Sequence, residues 1–159
     1  SSDADVGIEK IAEWVKKIES GGNPLAKSKA GAMGLMQLMP GTWAELSKKY
    51  GLNDPWNAAQ NMFAGTQYLQ QLQQKFGNWE HALGAYNWGQ GNVSNAIKQH
   101  GKRWLEYAPD ETKNYIEKYR KEFGFQKQSF NPRIDFNVNN NCSADVSWQC
   151  NGMSVGYQS

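Results

Sequence analysis

Glu19 is the residue of this chain best placed by its neighbours to do chemistry. It opens the block Glu19-Ser20-Gly21-Gly22-Asn23-Pro24, which is followed by Ser28 and by Gly31-Ala32-Met33-Gly34-Leu35-Met36-Gln37-Leu38-Met39-Pro40-Gly41-Thr42. A carboxyl that protonates a leaving oxygen must hold its proton near neutral pH. A desolvated, apolar setting does this by penalising the charged form. If the Gly21-Gly22 turn folds back on the preceding helix, Glu19 faces Leu35, Met36 and Met39. A helix C-terminus, the negative end of the dipole, pushes the pKa the same way. Both effects predict a general acid. Ordinary glycoside hydrolases place two carboxyls about 5 to 10 Å apart. The next acid after Glu19 is Glu45, outside the block and on a different helix. A glycosidase with one carboxylate takes its nucleophile from within the substrate or recruits a distant acid.

The elements that must hold Glu19 are helical. Ile8, Ile11, Ala12, Val15 and Ile18 form an i, i+3, i+4, i+7 stripe over residues 7–20, with Asp5 as the expected N-cap. Gly21-Gly22 and Asn23-Pro24 stop that helix and leave Glu19 in its last turn. Pro40-Gly41-Thr42 starts a second helix to about Tyr50, and Asp54-Pro55-Trp56 marks a turn with Pro55 at a helix N1 position. Residues 57–76 form the longest helix. Trp79 to Tyr86 is a short one, broken by Gly89 and Gly91. Val93 to His100 and Asp110 to Phe123 complete the set, the last started by Pro109-Asp110. After Gly124 the helical period is lost. Ile134, Phe136 and Val138 alternate as a strand would, as do Val146 and Trp148.

Composition sets bounds on the rest. A chain of 159 residues suits one domain with a sizeable core. The net charge of +2 is weak, and Lys and Arg are spread out and mixed with Glu and Asp on helix faces, which argues against nucleic acid as partner. No apolar run approaches the roughly 20 residues of a membrane span, and Ser1 to Asp5 carries no export signal. Cys142 and Cys150 enclose seven residues, which favours a small-loop disulfide in an oxidising compartment. With only His81 and His100 elsewhere, no zinc-type ligand spacing exists, and neither metal nor cofactor is expected.

The Glu19 to Thr42 block, together with Asn53-Asp54-Pro55, Asn61, Gly65, Tyr68-Leu69, Ala85-Tyr86-Asn87-Trp88-Gly89 and Glu111-Thr112-Lys113-Asn114-Tyr115, resembles the lysozyme-like lytic transglycosylases. The resemblance covers about residues 7–122. It implies an all-α domain of the goose-type lysozyme or soluble lytic transglycosylase kind over residues 6–123, leaving 124–159 as an irregular or short-β extension. It also implies cleavage of the β-1,4 bond between N-acetylmuramic acid and N-acetylglucosamine in peptidoglycan. The resemblance implies that Glu19 acts as acid and then as base for the muramyl C6 hydroxyl, giving 1,6-anhydromuramyl products. By position, Ser28 matches a serine that hydrogen-bonds near the acid. Gln37 and Met39 match groove-lining positions, Tyr86, Asn87 and Trp88 the element beside the acid, and Glu111 an acidic groove residue. The chain departs from the pattern at Gly22, where many members carry Phe, and at Trp88, where the residue is usually small. The implied location is the periplasm or cell exterior, or a virion.

Simpler roles compete for several of these residues. Ser28 also suits a turn cap and Met39 a core filler. Tyr86 suits a half-buried aromatic, and Glu111 an acid that complements a helix dipole. Rival functions are a hydrolytic muramidase, with Glu111 as second carboxylate, and a glycan-binding or assembly module of a phage particle or secretion apparatus acting through residues 125–159. An amidase using Cys and His ranks last, because both cysteines lie in the tail and pair better with each other.

Overall fold

The computed structural model describes residues 6–124, and its helices follow the apolar periodicity closely. In order come α1 (Ile8–Ser20), α2 (Pro40–Tyr50), α3 (Ala58–Phe76), α4 (Trp79–Trp88), α5 (Gln90–His100), a 3-10 helix (Gly101–Tyr107) and α6 (Asp110–Phe123). The described part is all-α, as expected. The alternating apolar residues of the tail and the Cys142–Cys150 pair lie outside the described residues. None of the described helices is long and apolar enough to cross a membrane.

Three local expectations differ from the observed geometry. The residue preceding α1 is Gly7, in extended conformation with no side-chain cap; Asp5 lies outside the described residues. Pro55 does not open α3: Asn57 caps it, accepting from the Gln60 N–H at 2.9 Å, and Pro55 stays in the turn. Gly91 does not break a helix but lies in the first turn of α5, where backbone N–H groups lack intrahelical partners in any case. Gly89 alone separates α4 from α5, with φ +107. Consequently α4 runs on through Asn87 and Trp88, and those side chains leave from a helix instead of a loop.

Helix α3 is the central support, packing against α1, α2 and α4, while α4 also meets α5 and α6. Ile11 and Val15 of α1, Leu69 of α3, Leu83 of α4 and Ile116 of α6 are fully buried in one core. Burying each such side chain contributes about 1.5–3 kcal/mol. Trp14 joins α1 to α6 by edge-on contacts with Tyr115 at 5.3 Å and Tyr119 at 5.9 Å between ring centres. Arg120 of α6 grips Glu80 of α4 with two bonds of 2.8 and 2.6 Å, fixing the rotation of α6 about its axis.

The segment between α1 and α2 is compact without being regular. Met33 pairs with both Lys27 and Leu38, and the Gly34 N–H donates to the Ala26 carbonyl at 2.8 Å. Two glycines let it press against α3. Gly34 has φ +77, and a Cβ there would lie 2.7 Å from the Pro55 carbonyl oxygen. A Cβ on Gly65 would lie 2.5 Å from Met36 Cγ.

Candidate active site

Glu19 leaves the last turn of α1, just before Gly21 closes the helix in left-handed conformation. Its carboxyl is raised from 4.5 to about 7. Burial is the main cause, the Tyr115 hydroxyl pulls the other way, and the Glu111 charge adds an upward push. Desolvation thus acts as the sequence predicts. The polar groups that Glu19 feels come from α6 and α4.

Tyr115 is buried at 6% exposure, and its hydroxyl completes no hydrogen bond at standard geometry. It nevertheless stands near enough to Glu19 for each to shift the other's pKa, and burial holds the phenol well above its usual range. An unsatisfied buried hydroxyl beside a buried carboxyl is uncommon in a core. Tyr86, from α4, also feels Glu19, and burial raises its phenol strongly too. Its hydroxyl donates to the Met36 carbonyl at 2.5 Å.

Asn87 and Glu111 form a second cluster. Asn87 Nδ2 donates to Glu111 Oε2 at 3.1 Å, while the Thr112 hydroxyl donates to Asn87 Oδ1 at 2.8 Å. Thr112 is 1% exposed, so α6 fixes the Asn87 amide at both ends. Glu111 does occupy the first turn of α6, where an acid complements the dipole, but it also faces Asn87.

Gln37, Met39, Tyr86, Asn87 and Trp88 line one cavity of about 200 Å³, together with Thr42 and Tyr68. Met39 is 44% exposed, so it serves as cavity wall and not as core filler. Gln37 is the one non-glycine with positive φ among the described residues, at +51. Its amide nitrogen bonds the Ala26 and Gly34 carbonyls at 2.9 and 3.0 Å, which offsets the backbone strain. Tyr68 stacks at a tilt on Tyr86, with ring centres 5.5 Å apart. Ser28 stands apart from this set: its hydroxyl accepts from the Ala32 N–H at 2.9 Å, the contact of a turn cap. A larger groove of about 470 Å³ runs along α1 beside Glu9, Lys10, Glu13 and Phe123, and it shares no residue with the Glu19 surroundings.

The sequence profile described as "Transglycosylase SLT domain" matches residues 8–107, well over half of the chain. The chain belongs to the transglycosylase SLT domain family. Among its relatives is the soluble lytic murein transglycosylase of Salmonella typhimurium, 34% identical over 140 residues, covering 76% of this chain and 22% of that protein. A transglycosylase of Enterobacteria phage PRD1 is 38% identical over 80 residues, covering 50% of this chain and 29% of that protein. Among solved structures, the 70 kDa soluble lytic transglycosylase of Escherichia coli superposes with a TM-score of 0.64 at 31% identity, covering 76% of this chain and 22% of that one. A 70-kDa soluble lytic transglycosylase in complex with bulgecin A gives a TM-score of 0.63 at 30% identity, covering 77% of this chain and 23% of that one. The chain therefore spans about a fifth of the length of the soluble lytic transglycosylases it matches.

In this SLT domain the profile match ends before α6, so the placing of Glu111 and Tyr115 rests on the geometry of the chain itself. Sequence reasoning missed Tyr115, Thr112, Tyr68 and Thr42 as members of the site. One signal was available: Tyr115 follows Glu111 by four residues, which puts both on one face of a helix. Nothing of that kind points from Tyr68 to Tyr86.

Proposed function

We propose that this SLT domain cleaves the glycan strands of peptidoglycan between N-acetylmuramic acid and N-acetylglucosamine without using water. The carrying observation is Glu19, a mostly buried carboxyl with a pKa of about 7 beside two phenols. Such a group is protonated often enough at neutral pH to act as acid, and basic enough once ionised to act as base.

Glu19 gives its proton to the glycosidic oxygen as the bond to muramyl C1 breaks. The leaving N-acetylglucosamine keeps that proton as a hydroxyl, and positive charge develops at C1 and the ring oxygen. The muramyl C6 hydroxyl then attacks C1, and the Glu19 carboxylate takes its proton. The products are a 1,6-anhydromuramyl end and an unchanged enzyme, with no water consumed. Tyr115, with its hydroxyl uncommitted to a standard bond, donates to the carboxylate formed midway. Gln37, Met39, Tyr86, Asn87 and Trp88 hold the sugar in the cavity. With the Gln37 nitrogen committed to the loop, its carbonyl oxygen is the end that accepts from a sugar hydroxyl or acetamido N–H. Ser28 caps the loop that carries Gln37 and Met39.

The hydrolytic alternative needs Glu111 to activate water. Glu111 instead accepts from Asn87, and it pushes up the Glu19 pKa as a neighbouring charge does. Mass spectrometry of muropeptides released from purified peptidoglycan separates the two. Products one water lighter than hydrolysis products are expected; reducing-end products would make Glu111 the base and the domain a muramidase. The setting in which it acts is the periplasm, the cell exterior or a phage particle, the last supported by the similarity to the phage PRD1 transglycosylase.

Tyr115→Phe tests the phenol. Turnover is expected to fall about tenfold, within the range for a lost transition-state hydrogen bond. The melting temperature should hold or rise, because a buried hydroxyl without a partner is removed. Unchanged kcat in the folded variant would leave Tyr115 as packing only.

A further inference from the structure

Asn61 and Thr112 are the two non-aromatic polar side chains buried among the described residues. A buried polar group is costly unless it is hydrogen-bonded. Asn61 commits its amide to main chain, accepting from the Met36 N–H at 2.7 Å and donating to the Met33 and Pro55 carbonyls at 2.9 Å each. Thr112, in the first turn of α6, does otherwise. A helical threonine commonly bonds the carbonyl one turn back, as Thr66 does with Met62 at 2.7 Å. Thr112 Oγ1 instead donates across to Asn87 Oδ1 on α4. Its partner is a side chain that lines the cavity of Gln37, Tyr86 and Trp88.

The three groups together leave one way round for the Asn87 amide. A carboxylate only accepts, so the Asn87 nitrogen faces Glu111 Oε2, at 3.1 Å, and its oxygen faces Thr112. The buried hydroxyl supplies the donor that this oxygen needs. Without it the oxygen would lie unpaired against α6, and the amide would be free to turn. An amide nitrogen carries two hydrogens and Glu111 takes one, so an N–H of Asn87 and Oε1 of Glu111 stay uncommitted among the described residues. The Asn87–Glu111 bond is open to solvent, with Asn87 half-buried and Glu111 exposed. A donor beside an anionic acceptor matches one sugar hydroxyl, whose oxygen accepts while its proton is donated.

We propose that Thr112 is a positioning residue for glycan binding, holding Asn87 so that its nitrogen donates to a sugar hydroxyl whose proton goes to Glu111 Oε1. That the ligand is a peptidoglycan strand rests on the function proposed above; the dependence of Asn87 on Thr112 does not. Two hydroxyls of the strand fit this chemistry. The C6 hydroxyl occurs on both sugars, whereas the C3 hydroxyl is present on N-acetylglucosamine and etherified on N-acetylmuramic acid.

The test is a double-mutant cycle on the full chain carrying Glu19→Gln, which leaves the sugar uncut. Calorimetry reads its Kd for a peptide-free tetrasaccharide of alternating N-acetylglucosamine and N-acetylmuramic acid. Thr112→Val keeps the shape and removes the hydroxyl, and Kd is expected to rise about tenfold. Thr112→Ser, which restores the donor, should stay within about twofold of the parent. In an Asn87→Ala background there is no amide to hold, so Thr112→Val should add nothing. Thr112→Ala provides a second route should valine not be tolerated, with the same rise expected. Tetrasaccharides lacking the C6 hydroxyls, or the C3 hydroxyl of N-acetylglucosamine, identify which hydroxyl is held. That analogue should bind the parent about tenfold more weakly and no longer sense Thr112. An unmoved Kd in a folded variant, equal losses with and without the Asn87 amide, or undiminished sensitivity of both analogues to Thr112 would overturn the proposal. A loss that depends on Asn87, in a chain whose Glu19 form releases no anhydromuropeptides, would uphold the positioning and sink the assigned reaction instead.

Discussion

Glu19→Gln is expected to abolish release of muropeptides, by about a thousandfold or more, and at the same time to stabilise the protein at pH 8. The loss of rate follows from removing the only proton donor assigned to the bond, since general acid catalysis is typically worth 10²–10⁴-fold. The gain in stability follows from linkage. The folded-state pKa is about 7 against 4.5 as the ordinary value, so the folded state binds the proton more tightly than the unfolded one. Below the unfolded value both states are protonated and burial of the charge costs nothing. Above about 7 both are ionised, and the folded state carries the full penalty, so stability falls as pH rises between the two. A gap of that size corresponds to about 3 kcal/mol. Glutamine, neutral at all pH, never carries it. Thermal denaturation at pH 4 and pH 8 checks this: the variant should gain on the wild type only at the higher pH. A variant with ordinary turnover would end the assignment of Glu19, and one without gain at pH 8 would show that its carboxyl is better solvated than its surroundings imply.

Gly34→Ala is expected to be the most damaging single methyl among the loop residues, costing about 3 kcal/mol or more. Two causes add. The backbone sits at φ +77, which side-chain-bearing residues seldom adopt. The new Cβ would also overlap the Asn61 amide and come 2.7 Å from the Pro55 carbonyl oxygen, neither of which is the free end of a flexible chain. Because Asn61 holds Met36, and Met36 holds Tyr86, activity should fall further than stability alone explains. Denaturant titration together with kcat measured well below the melting temperature checks both parts. Gly21→Ala is the control, since its φ is +62 but no atom lies within 4 Å of the added Cβ. Equal losses at the two positions would mean that backbone strain, and not the pressed contact, decides the cost.

Helices proved legible where the apolar stripe was regular. The α1 stripe and the start of α2 at Pro40 follow directly from residue spacing and from the fixed φ of proline. Reading failed where two signals competed. Pro55 looked like a helix start because proline favours N1, but the Asn57 side chain satisfies the Gln60 N–H, and a satisfied donor outranks a compatible φ. Gly91 looked like a break because glycine weakens a helix interior, yet it fell in the first turn, where that cost is least. The 3-10 helix Gly101–Tyr107 had no periodic signature at all; Trp104 anchors it by being 4% exposed against the core.

What the residues by themselves offered was a candidate acid and its block: a lone carboxylate at a helix end, a glycine turn, and an apolar loop after it. That much is local, because turn chemistry and desolvation depend on neighbours in sequence. What only the tertiary structure decided was the company Glu19 keeps. Tyr115 and Glu111 arrive on α6, Tyr86 on α4, and Asn61 reaches the site from α3 through Met36. Hydrophobic periodicity says that a helix face is buried but not against which partner. The rotation of each helix, set by contacts such as Arg120 with Glu80 and Trp14 with Tyr115, chooses which polar groups meet.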